Sequence, residues 1–170
     1  MIISTATVSD IQALVSLMNR AYRGEDARKG WTTESDLISG ESRTDIPTLT
    51  ELMNQPGAVL LKHTNEKGMI TGCVFLQKQK RGLYLGMLAV SPELQGAGIG
   101  KLLLDAANSQ AKKMGCTSIF MTVISIRHEL IAWYLRHGYQ MTSERKSFPD
   151  DLRFGIPTQP LEFAILEKPI

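Results

Sequence analysis

A chain of 170 residues, 43% apolar and 21% charged, has the length of one domain and an ordinary globular composition, which excludes a disordered chain. A net charge of +2, with no basic run denser than Lys78, Lys80 and Arg81, argues against a nucleic-acid partner. No apolar run approaches the roughly 20 residues of a membrane span, and Met1–Thr5 lacks the basic-then-apolar pattern of a signal peptide. The two cysteines, Cys73 and Cys116, fit no CxxC or zinc spacing and read as small buried hydrophobes in a reducing compartment. The expectation is a single cytoplasmic domain over residues 1–170, a monomer or homodimer, with no nucleic-acid or membrane partner.

In chain order, Met1–Thr7 alternates weakly and predicts a short strand. Ser9-Asp10 is a capping signal, and Ile11, Leu14, Val15, Met18 and Tyr22 follow at helical spacing as far as Gly24. Glu25–Arg43 is polar, carries Trp31, and predicts a short helical piece around Thr33–Ser39. Thr48–Asn54 predicts a helical turn or two ahead of Pro56. Ala58–His63 and Met69–Gln77 predict two strands around the hairpin signal Asn65-Glu66-Lys67-Gly68, and Gly82–Val90 a third. Ile99, Leu102, Leu103, Ala106 and Met114 mark the strongest helix, stopped by Gly115. Ser118–Ile124 is a β-branched strand and Glu129–His137 a second late helix ending at Gly138. Tyr139–Ser143 and Leu161–Leu166 are closing strands, joined by a polar loop containing Pro149, Pro157 and Pro160. With no repeat or linker, this order predicts an α/β (α+β) domain, one mixed sheet with helices on both faces.

The sharpest local feature is Leu88-Ala89-Val90-Ser91-Pro92-Glu93-Leu94-Gln95-Gly96-Ala97-Gly98-Ile99-Gly100-Lys101, a strand, a turn, a glycine-rich loop and a helix start. Alternate glycines let a ligand approach the backbone, and the first amides of a helix lack intrahelical partners and carry partial positive charge. That combination is an anion site suited to a phosphate or pyrophosphate. Two commoner phosphate motifs fail. A P-loop ending at Gly100-Lys101 would need glycine at Gln95 and Ser or Thr at Leu102. A dinucleotide fingerprint from Gly96 would need glycine at Lys101.

The run Val90-x-Pro92-x-x-Gln95-Gly96-x-Gly98-Ile99-Gly100 closely resembles the acetyl-CoA loop of the GNAT superfamily of N-acetyltransferases. Trp133-Tyr134-x-x-x-Gly138-Tyr139 is similar to the Phe-Tyr-x-x-x-Gly-Phe segment of that family's last helix. The resemblance implies a mostly antiparallel mixed sheet whose central strand pair, Gly82–Val90 and Ser118–Ile124, splays around acetyl-CoA. It implies that the backbone amides of Gln95, Gly96, Ala97, Gly98, Ile99, Gly100 and Lys101 hold the pyrophosphate. It also implies that Leu88, Ala89 and Val90 pair with the pantetheine arm, whose amides would meet backbone groups the splay leaves open. Many members carry Asn where this chain has Arg127, which is either a cofactor or phosphate contact or a solvated helix-cap residue.

Acetyl transfer to an amine needs a neutral amine, a stabilised oxyanion and a proton for the departing thiolate. The resemblance places Tyr134 in the general-acid position. The strand before the loop offers only Tyr84 where relatives often carry Glu or His, so the base stays open among Glu25, Glu34, Glu93, His63, His128, His137 and water. Trp31 and Glu34, in the distinctive Gly30–Glu34 stretch, are candidates for the acceptor pocket, with Glu34 a possible attractor of a cation. The expected activity is acetyl transfer from acetyl-CoA to the primary amine of a small molecule or peptide. A non-catalytic acyl-CoA-binding domain of the same fold is the alternative.

Overall fold

The computed structural model describes residues 2–170. Its elements run β1 (Ile2–Thr5), α1 (Ile11–Tyr22), α2 (Gly24–Ala27), β2 (Ile38–Ser39), α3 (Ile46–Met53), β3 (Ala58–Thr64), β4 (Ile70–Lys78) and β5 (Leu83–Val90). They continue with α4 (Ile99–Lys113), β6 (Ser118–Ile124), α5 (His128–Arg136), β7 (Gln140–Ser147), β8 (Ile156–Pro157) and β9 (Glu162–Pro169). Seven strands form one sheet in the order β1-β3-β4-β5-β6-β9-β7. Every neighbouring pair is antiparallel except β5–β6. The mixed sheet expected from the element order is the one observed.

The two-residue period of a strand explains how one sheet holds two cores. Along β4, Cys73 and Phe75 enter a core with Leu14, Met18 and Leu49 from α1 and α3. Val74 and Leu76 enter the opposite core with Leu103, Ala107 and Ile131 from α4 and α5. A strand buried on both faces must be apolar throughout, as Cys73–Leu76 is. Of the residues whose spacing marks the long helix, Ile99 and Leu103 are buried and Ala106 and Met114 pack against the core, while Leu102 is 44% exposed; Leu104, Ala107 and Ala111 complete the buried stripe.

The parallel β5–β6 pairing lasts only two residue pairs, Leu83↔Ile119 and Tyr84↔Phe120. Beyond them β6 keeps a continuous antiparallel partner in β9, from Ser118↔Pro169 to Ile124↔Phe163. β5 bulges against β4: Val74 alone lies opposite Met87 and Leu88, and Met87 has a φ of +50°. The bulge reverses the strand's facing. Leu83 and Leu85 point to the α4–α5 core, but the next odd residue, Met87, points to the α1–α3 side and Leu88 takes the α4–α5 side.

Three local expectations are corrected. The helical piece around Thr33–Ser39 is a turn leading into β2, which pairs with β8 through Ile38↔Pro157 and Ser39↔Ile156. Two-residue strands carry no periodicity, and their partners are far apart in sequence. β7 extends to Ser147 because it is a mostly exposed edge strand with no apolar alternation to read. β9 extends to Pro169 as the full-length partner of β6.

The approach of α4 to the sheet hinges on Gly72. A Cβ there would lie 2.8 Å from Ile99 Cγ2 and 3.0 Å from Leu103 Cδ1. Gly72→Ala is therefore expected to overpack this contact and destabilise the protein by about 1–3 kcal/mol, a fall of several degrees in Tm. An unchanged melting or urea curve would contradict this packing.

Candidate active site

Where β5 ends, a short 3-10 turn (Pro92–Leu94) carries the chain to Gly96 and Gly98, with φ of +90° and +88°. Gly98 is the N-cap of α4 in the left-handed region, and no side chain caps that helix. A Cβ on Gly96 or Gly98 would meet nothing within 4 Å, so both face an open cleft. Among the described residues, the amides of Gly96, Gly98, Ile99, Gly100 and Lys101 find no hydrogen-bond acceptor. A 15-residue helix thus presents its positive end and a row of free donors to that cleft.

The Gln95 side chain ties this loop to the segment after α2. Its Oε1 accepts from the amides of Trp31 (2.7 Å) and Thr32 (3.3 Å). Its Nε2 donates to Thr32 Oγ1 (2.7 Å) and to the Val90 carbonyl (3.1 Å). Gly30 is required beside it, because a Cβ there would sit 2.3 Å from Gln95 Oε1. The cleft so formed has a volume of about 530 Å³, with Trp31, Trp133 and His137 along its wall. The Trp31 and Trp133 rings lie 6.1 Å apart. The Trp133 carbonyl lies 2.7 Å from His137 Nδ1.

A second cavity of about 410 Å³ opens on the other side of the splay. Four residues line both: Tyr22, Leu88, Leu130 and Tyr134. They mark the point where the two cavities meet. Tyr134 is only 5% exposed, packed against Trp133 (5.1 Å between rings) and Tyr139 (5.8 Å). Burial pushes its phenol well above the ordinary tyrosine range, with a smaller contribution from Tyr22, so the hydroxyl keeps its proton. Burial does the same for Tyr22, which donates a hydrogen bond to the Leu88 carbonyl.

The second cavity is walled by Arg23, Glu34, Ile38 and Arg43 from the early segment and by Lys146, Phe148, Pro149, Asp151 and Arg153–Gly155 from the late one. Its most buried charged group is a trio. Glu34 lies 3.4 Å from the Arg23 Nε and 3.8 Å from an Arg127 nitrogen. Arg23 also donates to the carbonyls of Ser42 (3.0 Å) and Phe154, and Arg127 to that of Thr32 (2.8 Å). Burial lowers the Arg23 pKa, partly opposed by Glu34.

These positions sort the sequence candidates. Val90, Gln95, Gly96, Gly98, Gly100 and Lys101 border one cleft, and Leu88 and Tyr134 stand at the junction. Of the other predicted loop residues, Ile99 turns its side chain into the core and the Ala97 amide already donates to the Leu94 carbonyl (3.3 Å). Ala89 is buried toward the α1–α3 core, so only its backbone is available to the splay. Trp31 lines the glycine-loop cleft and not the second cavity. Glu34 lines the second cavity, where its carboxylate pairs with the guanidiniums of Arg23 and Arg127. Arg127 is neither solvated nor in the glycine-loop cleft; its side chain is 8% exposed and anchors the segment at Thr32. Among the proposed bases, Glu25 and Glu93 pair with Arg28 and Arg20 at the surface. His63 is buried beside Thr71. Tyr22, Arg23 and Arg43, which also line the second cavity, were not among the sequence candidates. The helical spacing of Tyr22 reads as core packing, and nothing local marks Arg43.

The latch is testable by itself. Gln95→Leu keeps the size but leaves the Trp31 and Thr32 amides without their acceptor, a loss of about 1–3 kcal/mol. Hydrogen exchange at those two amides is expected to speed up tenfold or more. Wild-type exchange rates would show that Gln95 does not hold the segment.

The model of the acetyltransferase (GNAT) family matches residues 12–139, well over half of the chain. The peptidyl-lysine N-acetyltransferase YjaB of Escherichia coli is 26% identical over 129 residues, covering 76% of this chain and 80% of that protein. An amino-acid acetyltransferase of Pasteurella multocida is 25% identical and covers 70% of this chain, but the match spans only 30% of that longer protein. In structure, a phosphinothricin acetyltransferase from Sinorhizobium meliloti in complex with acetyl-CoA superimposes with a TM-score of 0.73 at 13% identity, over 99% of this chain and 88% of that one. At that identity the likeness speaks for the fold. The chain belongs to the GNAT acetyltransferase family, whose acetyl donor is acetyl-CoA.

Proposed function

We propose that this protein transfers an acetyl group from acetyl-CoA to the primary amine of a small molecule or peptide, by direct attack of the amine on the thioester. The observation that carries this reading is the meeting of two cavities at Tyr22, Leu88, Leu130 and Tyr134. The glycine-loop cleft fits the donor: unpartnered amides at a helix start suit a pyrophosphate. The edge of β5 beyond Tyr84, where no strand pairs with it, suits an amide-bearing arm. The other cavity then belongs to the acceptor. Relatives named for amino-acid and peptidyl-lysine acetylation are in keeping with either kind of acceptor. Two free, buried cysteines, with the Cys73 thiol pushed up to about 12 by burial, suit the reducing cytoplasm.

Acetyl-CoA supplies the activated thioester. A nitrogen–carbon bond forms, the carbon–sulfur bond breaks, and the proton lost from nitrogen must finish on sulfur. Tyr134 sits at the junction with its proton firmly held. A phenol in that state is a weaker acid than an ordinary thiol, which titrates near 8.5. Its contribution is therefore a hydrogen bond to the charge developing on sulfur, completed by the proton released from the amine. The bulge at Met87 and Leu88 frees backbone from the β4 ladder at the same junction, where a donor to the developing oxyanion is needed. With no carboxylate free at the junction among the described residues, water takes the amine's first proton, or the amine enters neutral.

Tyr134→Phe is expected to lower kcat roughly ten- to a thousandfold. The KM for acetyl-CoA and the Tm should stay near wild type, since the ring packing survives. The rise of rate with pH should keep its position in the variant, because that limb belongs to the acceptor amine and not to the buried phenol. A wild-type kcat would remove Tyr134 from the mechanism, and a collapse of Tm would make it structural.

A further inference from the structure

The acceptor-side cavity carries more positive than negative charge. Arg23, Arg43, Arg127, Lys146 and Arg153 line it, against Glu34 and Asp151. Arg153 and Asp151 cancel each other at 2.6 Å. Glu34 serves Arg23 and Arg127 together, so the buried trio keeps a net positive charge. Arg43 and Lys146 have no carboxylate partner, and their charged groups donate to no acceptor among the described residues. Lys146 is exposed and screened by solvent, whereas Arg43 is half-buried. The Arg43 charge reaches inward, acting on both Arg23 and Tyr22.

A surplus of cations in a partly desolvated cleft is unfavourable unless something neutralises it. Resting on the transferase reading above, we propose that the acceptor carries an oxyanion beside its amine, a carboxylate or a phosphonate-like group. Arg43 binds that oxyanion, and the Arg23–Glu34–Arg127 trio supplies the field behind it. The guanidinium fork suits bidentate recognition of such groups. A cavity of about 410 Å³ has room for an amino-acid-sized molecule. Polyamines and other multiply cationic amines meet like charge here and are disfavoured. With the oxyanion held at Arg43, the amine end is left to reach the junction at Leu88 and Tyr134.

The test is a thiol-release assay on the wild-type protein with paired acceptors. Amino acids and aminoalkyl phosphonates are each compared with the uncharged amide or the decarboxylated amine, and peptides beginning with Asp or Glu form a third arm. The anionic member of each pair is expected to have at least a tenfold higher kcat/KM. Activity with the peptides would assign the oxyanion to an acidic first residue; its absence would assign it to a free small molecule. Arg43→Gln should erase most of the preference through KM, and Arg43→Lys should restore part of it. CoA affinity by calorimetry should stay unchanged in both variants. Equal or better turnover of neutral or polycationic amines would overturn the inference and leave the transferase reading standing. A parallel loss of CoA affinity in Arg43→Gln would also overturn it, by assigning the charge to the cosubstrate. CoA binding with no thiol release for any acceptor would sink the transferase reading itself, and this inference with it.

Discussion

The parting of β5 from β6 after two residue pairs is the constraint on which the site depends. Continued pairing would close the sheet and leave no cleft. Two features hold the strands apart. β6 keeps β9 along its whole length, so its direction is fixed from the far side. β5 is turned at its bulge, where Met87 adopts a φ of +50° that a non-glycine side chain tolerates poorly. Backbone groups left open by the split would be unfavourable if buried without partners. Tyr22 answers one of them at Leu88, and Leu85–Leu88, Val90 and Met121–Ile124 border the two cavities.

The opening is then furnished from segments that are remote in sequence. Gln95 fixes Trp31 and Thr32 beside the glycine loop, while Arg127 fixes Thr32 from the start of α5. Arg23 reaches from the end of α1 to the carbonyls of Ser42 and Phe154, so one guanidinium gathers both walls of the second cavity. Glu34 makes that burial of two arginines tolerable. Breaking such a trio would strand a buried charge, which is more damaging than never having built it. The charge network therefore positions segments first, and its uncancelled part sets the sign of the cavity.

The glycine loop was legible in the sequence because its chemistry is local: glycines at positive φ, next to a helix start, need no tertiary partner to be recognised. The β3–β4 hairpin was legible for the same reason, through Asn65 and Gly68 in the turn. Most helices were visible from apolar spacing, though Leu102, part of that spacing, is exposed. β2 and β8 were not visible, since each consists of two residues defined only by the other. Tyr22, Arg23 and Arg43 gave no sign of a site, because what makes them part of one is the late segment folding back over them. Glu34 was found as a candidate from its place in a polar stretch, but its two arginine partners, remote in sequence, were not legible.

Amide hydrogen exchange with and without CoA probes the opening itself, because the split sheet and the free loop amides either receive the cosubstrate or do not. Binding is expected to slow exchange at the amides of Gly96–Lys101 and along Leu88–Val90, with the β1–β3 edge and the β7 strand unaffected. Protection spread elsewhere, or absent from those two stretches while CoA demonstrably binds, would mean that the split sheet does not hold the cosubstrate.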